Sequence, residues 1–338
     1  VPAAPGAADA GSGVAAIIEA VRAFRTGPAA RNDVIVLLTD GEELGLLGAR
    51  AFVDAHPWAK DVRMVVNFEA RGTSGPAWMF ETSASNGAVV AEWASLVPKP
   101  AGSSLTYEVY KRLPNDTDFS EFKRLQTAGL NFSFVGGWER YHTPGDAVQA
   151  LDPGSLQHHG EAALRLLRRF AAMDLGGLKA RDAVYFSVPL ADRVAHYAAM
   201  WSLPLALAAA VLWVVALVRA LRRKETSVGG IILATLVYAA FAGAAGFLGW
   251  RASRLAALLH ERWLAEGNIL MSGAYAATLV AVIAAVWLAL QVLLRKVFAT
   301  LSIALGALVA WVAAALLSAW FVPGASYVAA WPLLGATL

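Results

Sequence analysis

Along the first half of the chain, short apolar runs alternate with segments whose apolar positions recur at helical spacing. Val34 to Leu38 is apolar and largely β-branched, which reads as a buried strand. Leu44, Leu47, Ala51 and Phe52 follow at the spacing of a helix that ends near His56-Pro57. Val62 to Phe68, Trp78 to Thr82 and Leu130 to Val135 read as further strands, and Val14 to Phe24 and Ala88 to Leu96 as helices. The acidic turn at residues 114–119 leads into a short helix. Asp152 before Pro153 supplies a cap and a first helical residue for an amphipathic helix running to about Met173. This alternation predicts a three-layer α/β domain with a mostly parallel sheet over residues 1–175.

The pattern changes past residues 176–197, which read as a linker. Uncharged runs at 198–218, 227–249, 268–294 and 297–322 each meet the roughly 20 residues that a bilayer-spanning helix needs. They predict an α-helical polytopic membrane domain over 198–338, with at least four helices and the lipid bilayer as a partner. Arg219, Arg222, Arg223 and Lys224 fill the first connection, and Arg295 with Lys296 the third, which makes both cytoplasmic and puts the α/β domain on the non-cytoplasmic side (periplasm, cell exterior or organelle lumen). Arg251, Arg254 and Arg262 in the second connection run against this. Leu255, Leu258, Leu259 and Trp263 predict an amphipathic helix lying in the interface there. No charged residue falls inside the four runs, which argues against an ion-coupled transporter.

Composition sharpens this picture. At 58% hydrophobic and 16% charged the chain is too apolar for an ordinary soluble domain. The net charge of +3 is not gathered into one patch, so no nucleic-acid partner is expected. Cysteine is absent, which excludes disulfides and thiolate metal sites and leaves any metal to His, Asp and Glu. The chain opens Val1-Pro2-Ala3 without an initiator Met and closes inside an apolar run, so it reads as a fragment of a longer protein. Oligomeric state is not legible.

Candidate chemistry collects where strands hand over to helices, the crevice in which open α/β sheets bind ligands. Glu42 and Glu43 follow the first strand, Glu69 ends the second, and His142 follows Leu130 to Val135. Asp9 lies in a Gly/Pro-rich loop before the first helix. Most have an ordinary explanation: first-turn acids suit the helix dipole, an aspartate before a helix caps it, and a lone loop histidine usually binds nothing, whereas Glu69 at its strand end has no capping or dipole reason. Together they make four oxygen or nitrogen donors and one spare carboxylate on one rim, a set that suits catalytic zinc. Two zincs about 3.5–4 Å apart, sharing a carboxylate and a water, would generate hydroxide near neutral pH, and a neighbouring carboxylate would move the proton.

The motifs that carry these residues are Pro5-Gly6-Ala7-Ala8-Asp9-Ala10-Gly11-Ser12-Gly13, Asp40-Gly41-Glu42-Glu43-Leu44-Gly45-Leu46-Leu47-Gly48, Asn67-Phe68-Glu69-Ala70-Arg71-Gly72, Asn115-Asp116-Thr117-Asp118-Phe119 and Tyr141-His142-Thr143-Pro144. In this order they resemble the zinc aminopeptidase family that includes secreted bacterial leucyl aminopeptidases, glutaminyl cyclases and the transferrin-receptor ectodomain. The resemblance is strongest to its membrane-anchored branch, the endoplasmic-reticulum metallopeptidase and vacuolar membrane protease type. It implies a zinc-exopeptidase fold and a dizinc metallo-exopeptidase acting on peptides as an aminopeptidase. Asp9 then matches the bridging carboxylate, Glu42 the general base, Glu43 and His142 the ligands of one zinc and Glu69 a ligand of the other. Tyr141 matches a donor to the oxyanion. Arg71, Glu81, Asp116 and Asp118 are candidates for lining the substrate pocket or orienting ligands. The family's first ligand, a histidine in an H-x-D motif before the Pro-Gly loop, is expected upstream of Val1. His56, His158, His159, His196 and His260 lie on helices or near the membrane runs and read as structural or exposed. A non-catalytic receptor or scaffold on the same fold, or a glutaminyl-cyclase-like acyl transfer, are the alternatives.

Overall fold

A computed structural model describes residues 4–259 and 273–338. The chain divides into two compact units, Val1–Trp201 and Ser202–Leu338.

In the first unit, helix α1 (Gly11–Phe24) and helix α2 (Leu47–Ala55) precede strand β1 (Met64–Ala70). Strand β2 (Trp78–Thr82), helix α3 (Gly87–Leu96), the two-residue strand β3 (Ala101–Gly102), helix α4 (Ser104–Tyr110), helix α5 (Asp118–Arg124), strand β4 (Ala128–Phe134) and helix α6 (Pro153–Ala172) follow. The sheet order is β1-β4-β2-β3. Two of its three pairings are parallel, β1 with β4 and β2 with β3, while β2 runs antiparallel to β4.

Alternation along the strands decides what each face meets. Phe68 of β1, Leu130 and Phe132 of β4 and Met79 of β2 point one way, onto Ala20 of α1, Val89, Val90 and Trp93 of α3 and Leu166 and Phe170 of α6. Val65 points the other way, beside Ala49 and Phe52 of α2 and Phe122 of α5. Helices therefore cover both faces, giving the three layers. Asp152 caps α6 as its sequence suggests, accepting from the Ser155 amide at 2.7 Å.

Two expectations need correction. Val34 to Leu38 forms no assigned strand, and Val34, Ile35, Val36 and Leu38 stay exposed. A cavity of about 880 Å³ opens between this segment and β1, lined by Val34, Val36, Val62, Met64, Val66 and Phe68 among others. Apolarity marks a segment as strand-like, but a strand exists only when a neighbour takes its N–H and C=O groups. Second, residues 176–197 are not an open linker. They contain strand β5 (Ala183–Ser187) and most of strand β6 (Val194–Ala198), an antiparallel hairpin. Val184 and Tyr185 are fully buried, and Asn86 and Ser104 bond the backbone of Ala183 and Tyr185. The hairpin thus belongs to the first unit, whose boundary falls at Trp201 rather than near residue 175.

The second unit holds helices α7 (Ser202–Arg222), α8 (Val228–Leu259), α9 (Gly273–Leu294), α10 (Thr300–Phe321) and α11 (Tyr327–Thr337). Among the described residues, four segments, Ala199–Arg222, Val228–Leu255, Ala277–Leu294 and Thr300–Phe321, are long and apolar enough to cross a membrane. Gly306 lets α10 and α8 close up: a Cβ there would stand 2.8 Å from the Ala234 Cβ. Polar groups between helices are paired, as a lipid surround requires, with the Trp213 indole donating to Leu305 O and the Thr235 hydroxyl to Gly306 O. The start of the run at 268–294, and Arg262, Trp263 and His260, lie outside the described residues.

Candidate metal centre

Glu42 and Glu43 are not in the first turn of α2. They form a 3₁₀ turn, Glu42–Leu44, between Gly41 at φ 68° and Gly45 at φ 104°. Leu46 is also left-handed at φ 60°, and α2 begins only at Leu47, with no acid in its first turn. The helix dipole therefore does not account for the pair. Gly48 allows the turn to fold back, since a Cβ there would meet Asp40 backbone at 2.7 Å.

Asp9 likewise fails to cap α1: the N-cap is Ala10, with no side-chain hydrogen bond. The Asp9 backbone is held from elsewhere. Asp146, only 2% exposed, accepts from the Ala8 amide at 2.8 Å through Oδ1 and from the Asp9 amide at 3.1 Å through Oδ2. Its backbone carbonyl takes the Ala7 amide. Asp146 sits four residues past His142, so one short segment carries the histidine and clamps the aspartate loop. Sequence reasoning assigned Asp146 no role; a carboxylate shortly after the Tyr-His pair was the available signal. Asp146→Ala orphans two amides at about 1–3 kcal/mol each. A clear drop in the thermal midpoint of the full chain in detergent is the expected result, and an unchanged midpoint would refute the clamp.

The ends of β1 and β4 are locked together beyond the ladder. Arg71 N donates to Phe134 O, and Thr73 N and Ser74 N donate to Gly136 O. Gly72 is required, because a Cβ would lie 2.3 Å from Gly136 O. The following turn, Trp138–Arg140, presents Tyr141 and then His142 at φ 57°.

These elements bring three side chains into one cluster. His142 Nε2 lies 2.6 Å from Glu43 Oε1 and 3.2 Å from Asp9 Oδ2. One donor atom from each of the three falls within 4.8 Å of the others. His142 Nε2 is buried, and despite these two approaches it makes no hydrogen bond of acceptable geometry. Two carboxylate oxygens and a buried imidazole nitrogen this close together are a donor set that suits a divalent cation bound by O and N.

The remaining acids crowd this cluster. The Asp9 carboxyl is pushed up to about 7, by burial first and then by Glu43, Glu42 and Asp146. Burial also raises Glu42 to about 7, helped by Glu43 and then Asp118. Glu69 rises to about 8, chiefly through burial and against a hydrogen bond from Asn67 at 2.9 Å, with Glu42, Asp9 and Asp118 adding to the rise. Asp118 is raised as well, mainly by burial, while the Thr39 hydroxyl donates to its Oδ2 and opposes the shift. So many carboxyl groups so close together, several of them half-buried or more, are favoured when protons or cations share their charge.

Tyr141 stacks on the His142 ring, with centroids 3.7 Å apart, and the Arg71 guanidinium stands 4.8 Å from the centre of the Tyr141 ring. Burial, foremost, and Asp9 push the Tyr141 phenol up, which keeps its proton on. The other residues expected at the pocket are placed differently. Glu81 is fully buried, bonded by Lys123 and Asn131, and is not exposed to line a substrate pocket. Asp116 accepts from the Ser120 hydroxyl at 2.9 Å at the exposed start of α5. His158 takes the Ala77 amide and contacts Pro98 O, His159 packs between Phe68 and Phe134, and His56 and His196 are exposed.

Residues 1–167 match the family described as Peptidase family M28. The human protein named endoplasmic reticulum metallopeptidase 1 is 29% identical over 175 residues, covering 51% of this chain and 19% of that protein. A putative endoplasmic reticulum metallopeptidase 1 of Schizosaccharomyces pombe is 33% identical over 190 residues, covering 54% and 23%. A vacuolar membrane protease of Coccidioides posadasii is 33% identical over 163 residues, covering 47% and 16%. The matched region spans about a fifth of the length of these relatives. No solved structure matches.

Proposed function

We propose that the chain, whose residues 1–167 match the family described as Peptidase family M28, is part of a membrane-anchored dizinc aminopeptidase that releases residues from peptide N-termini. The observation that carries this reading is the convergence of His142 Nε2 with Asp9 and Glu43 beside a free carboxylate, Glu42, whose pKa is about 7. Asp9, Glu43 and His142 would hold one zinc, and Asp9 with Glu69 the second. Zinc in such a site supplies Lewis acidity that acidifies water and polarises the scissile carbonyl.

The chain's own residues do the rest. Glu42 takes the proton of the attacking water on its carboxylate and returns it to the nitrogen of the departing amine. Tyr141 stays protonated under burial and donates its O–H to the oxygen of the tetrahedral intermediate, where negative charge develops. The contacts of the Tyr141 ring with His142 and Arg71 would hold the ring in place for that role. The excess of carboxylates on the rim favours a substrate whose reacting end carries a positive charge, as a free N-terminus does.

Four apolar helices and relatives named for membranes support an integral membrane protein. The basic connections at Arg219–Lys224 and Arg295–Lys296 support a peptidase unit on the non-cytoplasmic side.

The test uses the full-length protein in detergent, loaded with zinc, and a peptide pair that differs only in N-terminal acetylation. Release of the first residue from the free peptide is expected to exceed that from the acetylated one by at least about 100-fold, since a site built for an N–H group rejects an analogue lacking it. Internal cleavage of both peptides at equal rates would overturn the aminopeptidase assignment. Failure to retain zinc would overturn the metal centre.

A further inference from the structure

A row of buried polar side chains crosses the sheet on the face covered by α5. Asn67 and Glu69 share this face of β1, and Asn131 stands opposite Asn67 on β4. Glu81 of β2 stands opposite Asn131 only because the β2–β4 register shifts between Met79 and Glu81. Without that bulge, Glu81 would share the core face with Met79, two residues before it. Asn131 and Glu81 are both 0% exposed. The bonds run in sequence: Lys123 Nζ donates to Glu81 Oε1, Asn131 Nδ2 to Glu81 Oε2 at 2.9 Å, Asn67 Nδ2 to Asn131 Oδ1 at 3.1 Å, and Asn67 Nδ2 to Glu69 Oε1 at 2.9 Å. Thr117 Oγ1 takes the other Asn131 hydrogen at 2.9 Å.

The direction of these bonds is not arbitrary. A carboxylate paired with an ammonium only accepts, so Asn131 must turn its NH₂ to Glu81. The Asn131 oxygen then faces Asn67 and can only accept in turn. Asn67 must therefore present its NH₂, whose second hydrogen falls on Glu69. Flipping the Asn67 amide would set its oxygen against two other acceptors inside the core, at a desolvation cost of the kind that orders such networks. We propose that the Lys123–Glu81 ion pair, acting through Asn131 and Asn67, is a positioning device that holds one oxygen of Glu69 and leaves the other free for a cation. This rests on the reading of Glu69 as a metal ligand. It explains why an ion pair, a weak source of stability when buried, occupies the middle of this face.

The test is zinc affinity, measured by titrating the metal onto the metal-free full chain in detergent. The double variant Glu81→Gln/Lys123→Met keeps the shape and removes the pair, and such neutral replacements usually leave folding intact. Its zinc Kd is expected to rise about 10–100-fold, as outer partners of ligands typically contribute, with little change in the metal-free thermal midpoint. Lys123→Arg, which keeps the charge, should restore wild-type affinity. Asn67→Leu provides a second route should the double variant fold poorly. It is expected to give the same loss, and combining it with the double variant should add nothing further. Wild-type zinc affinity in the double variant or in Asn67→Leu, or additive losses, would overturn the relay. Glu69→Gln separates the two readings: if it binds zinc as wild type does, the ligand assignment itself falls.

Discussion

Glu42→Gln is expected to lower kcat by about 10²–10⁴, the usual contribution of a positioned general base, while zinc content stays at the wild-type level. Glutamine keeps the shape of glutamate and loses only its ability to take a proton. The geometry favours a clean separation of the two readouts. His142 is met by Glu43 and Asp9, and Glu42 is outside that trio. The turn that carries both acids is set by Gly41 and Gly45, whose positive φ values do not depend on either side chain. In the metal-free site burial, then Glu43, then Asp118 raise the Glu42 carboxyl to about 7, and a neighbouring dication would hold it ionised and ready to accept a proton. The assay is steady-state turnover of a free N-terminal peptide, beside metal analysis of the same preparation. Retained turnover would move the base elsewhere, Asp118 being the next carboxyl in the cluster; lost zinc would make Glu42 a ligand.

Much of the fold was legible because periodicity reports burial. Phe68, Leu130 and Phe132 mark their strands through apolar alternation, and Asp152-Pro153 marks the start of α6 through chemistry that works locally. What failed depended on partners that sequence does not display. Val34 to Leu38 has the composition of a strand and no neighbour to bond it. The β5–β6 hairpin escapes periodicity because its backbone is bonded by Asn86 and Ser104, 97 and 81 residues earlier in the chain, and Tyr185 packs on the similarly distant Trp93. At the candidate site, single side chains with strong chemical identity stood out: Glu42, Glu43, His142. Their supports did not. Asp146 acts on Asp9 from 137 residues away, and Glu81 reaches its row through a bulge that alternation cannot foresee. Local signals identify donors, whereas the groups that aim them are fixed by tertiary contacts.

The same crowding of carboxylates makes the metal-free protein pH-sensitive in an unusual direction. Asp9 goes from 3.8 to about 7, Glu42 from 4.5 to about 7 and Glu69 from 4.5 to about 8, burial being the leading cause each time. A folded-state pKa above the unfolded value means that the native state holds more protons than the unfolded state between the two. The stabilisation is fully present below about pH 4 and is lost as pH rises through 7 to 8. A shift of about 3 units, as at Asp9, corresponds to about 4 kcal/mol. The three groups share one field, so the site as a whole is expected to lose stability of that order, about 4 kcal/mol, between pH 5 and pH 8. Zinc reverses the sign by taking the place of the protons, and its binding releases them. The thermal midpoint of the zinc-free chain should therefore fall from pH 5 to 8, while the increment produced by a fixed free zinc concentration grows over the same interval. An Asp9→Asn variant should flatten both trends, having lost one of the titrating groups and one of the ligands together. A zinc increment that is constant with pH would mean that the metal, if bound, does not displace protons from this cluster, and would remove the physical reason for gathering so many acids there.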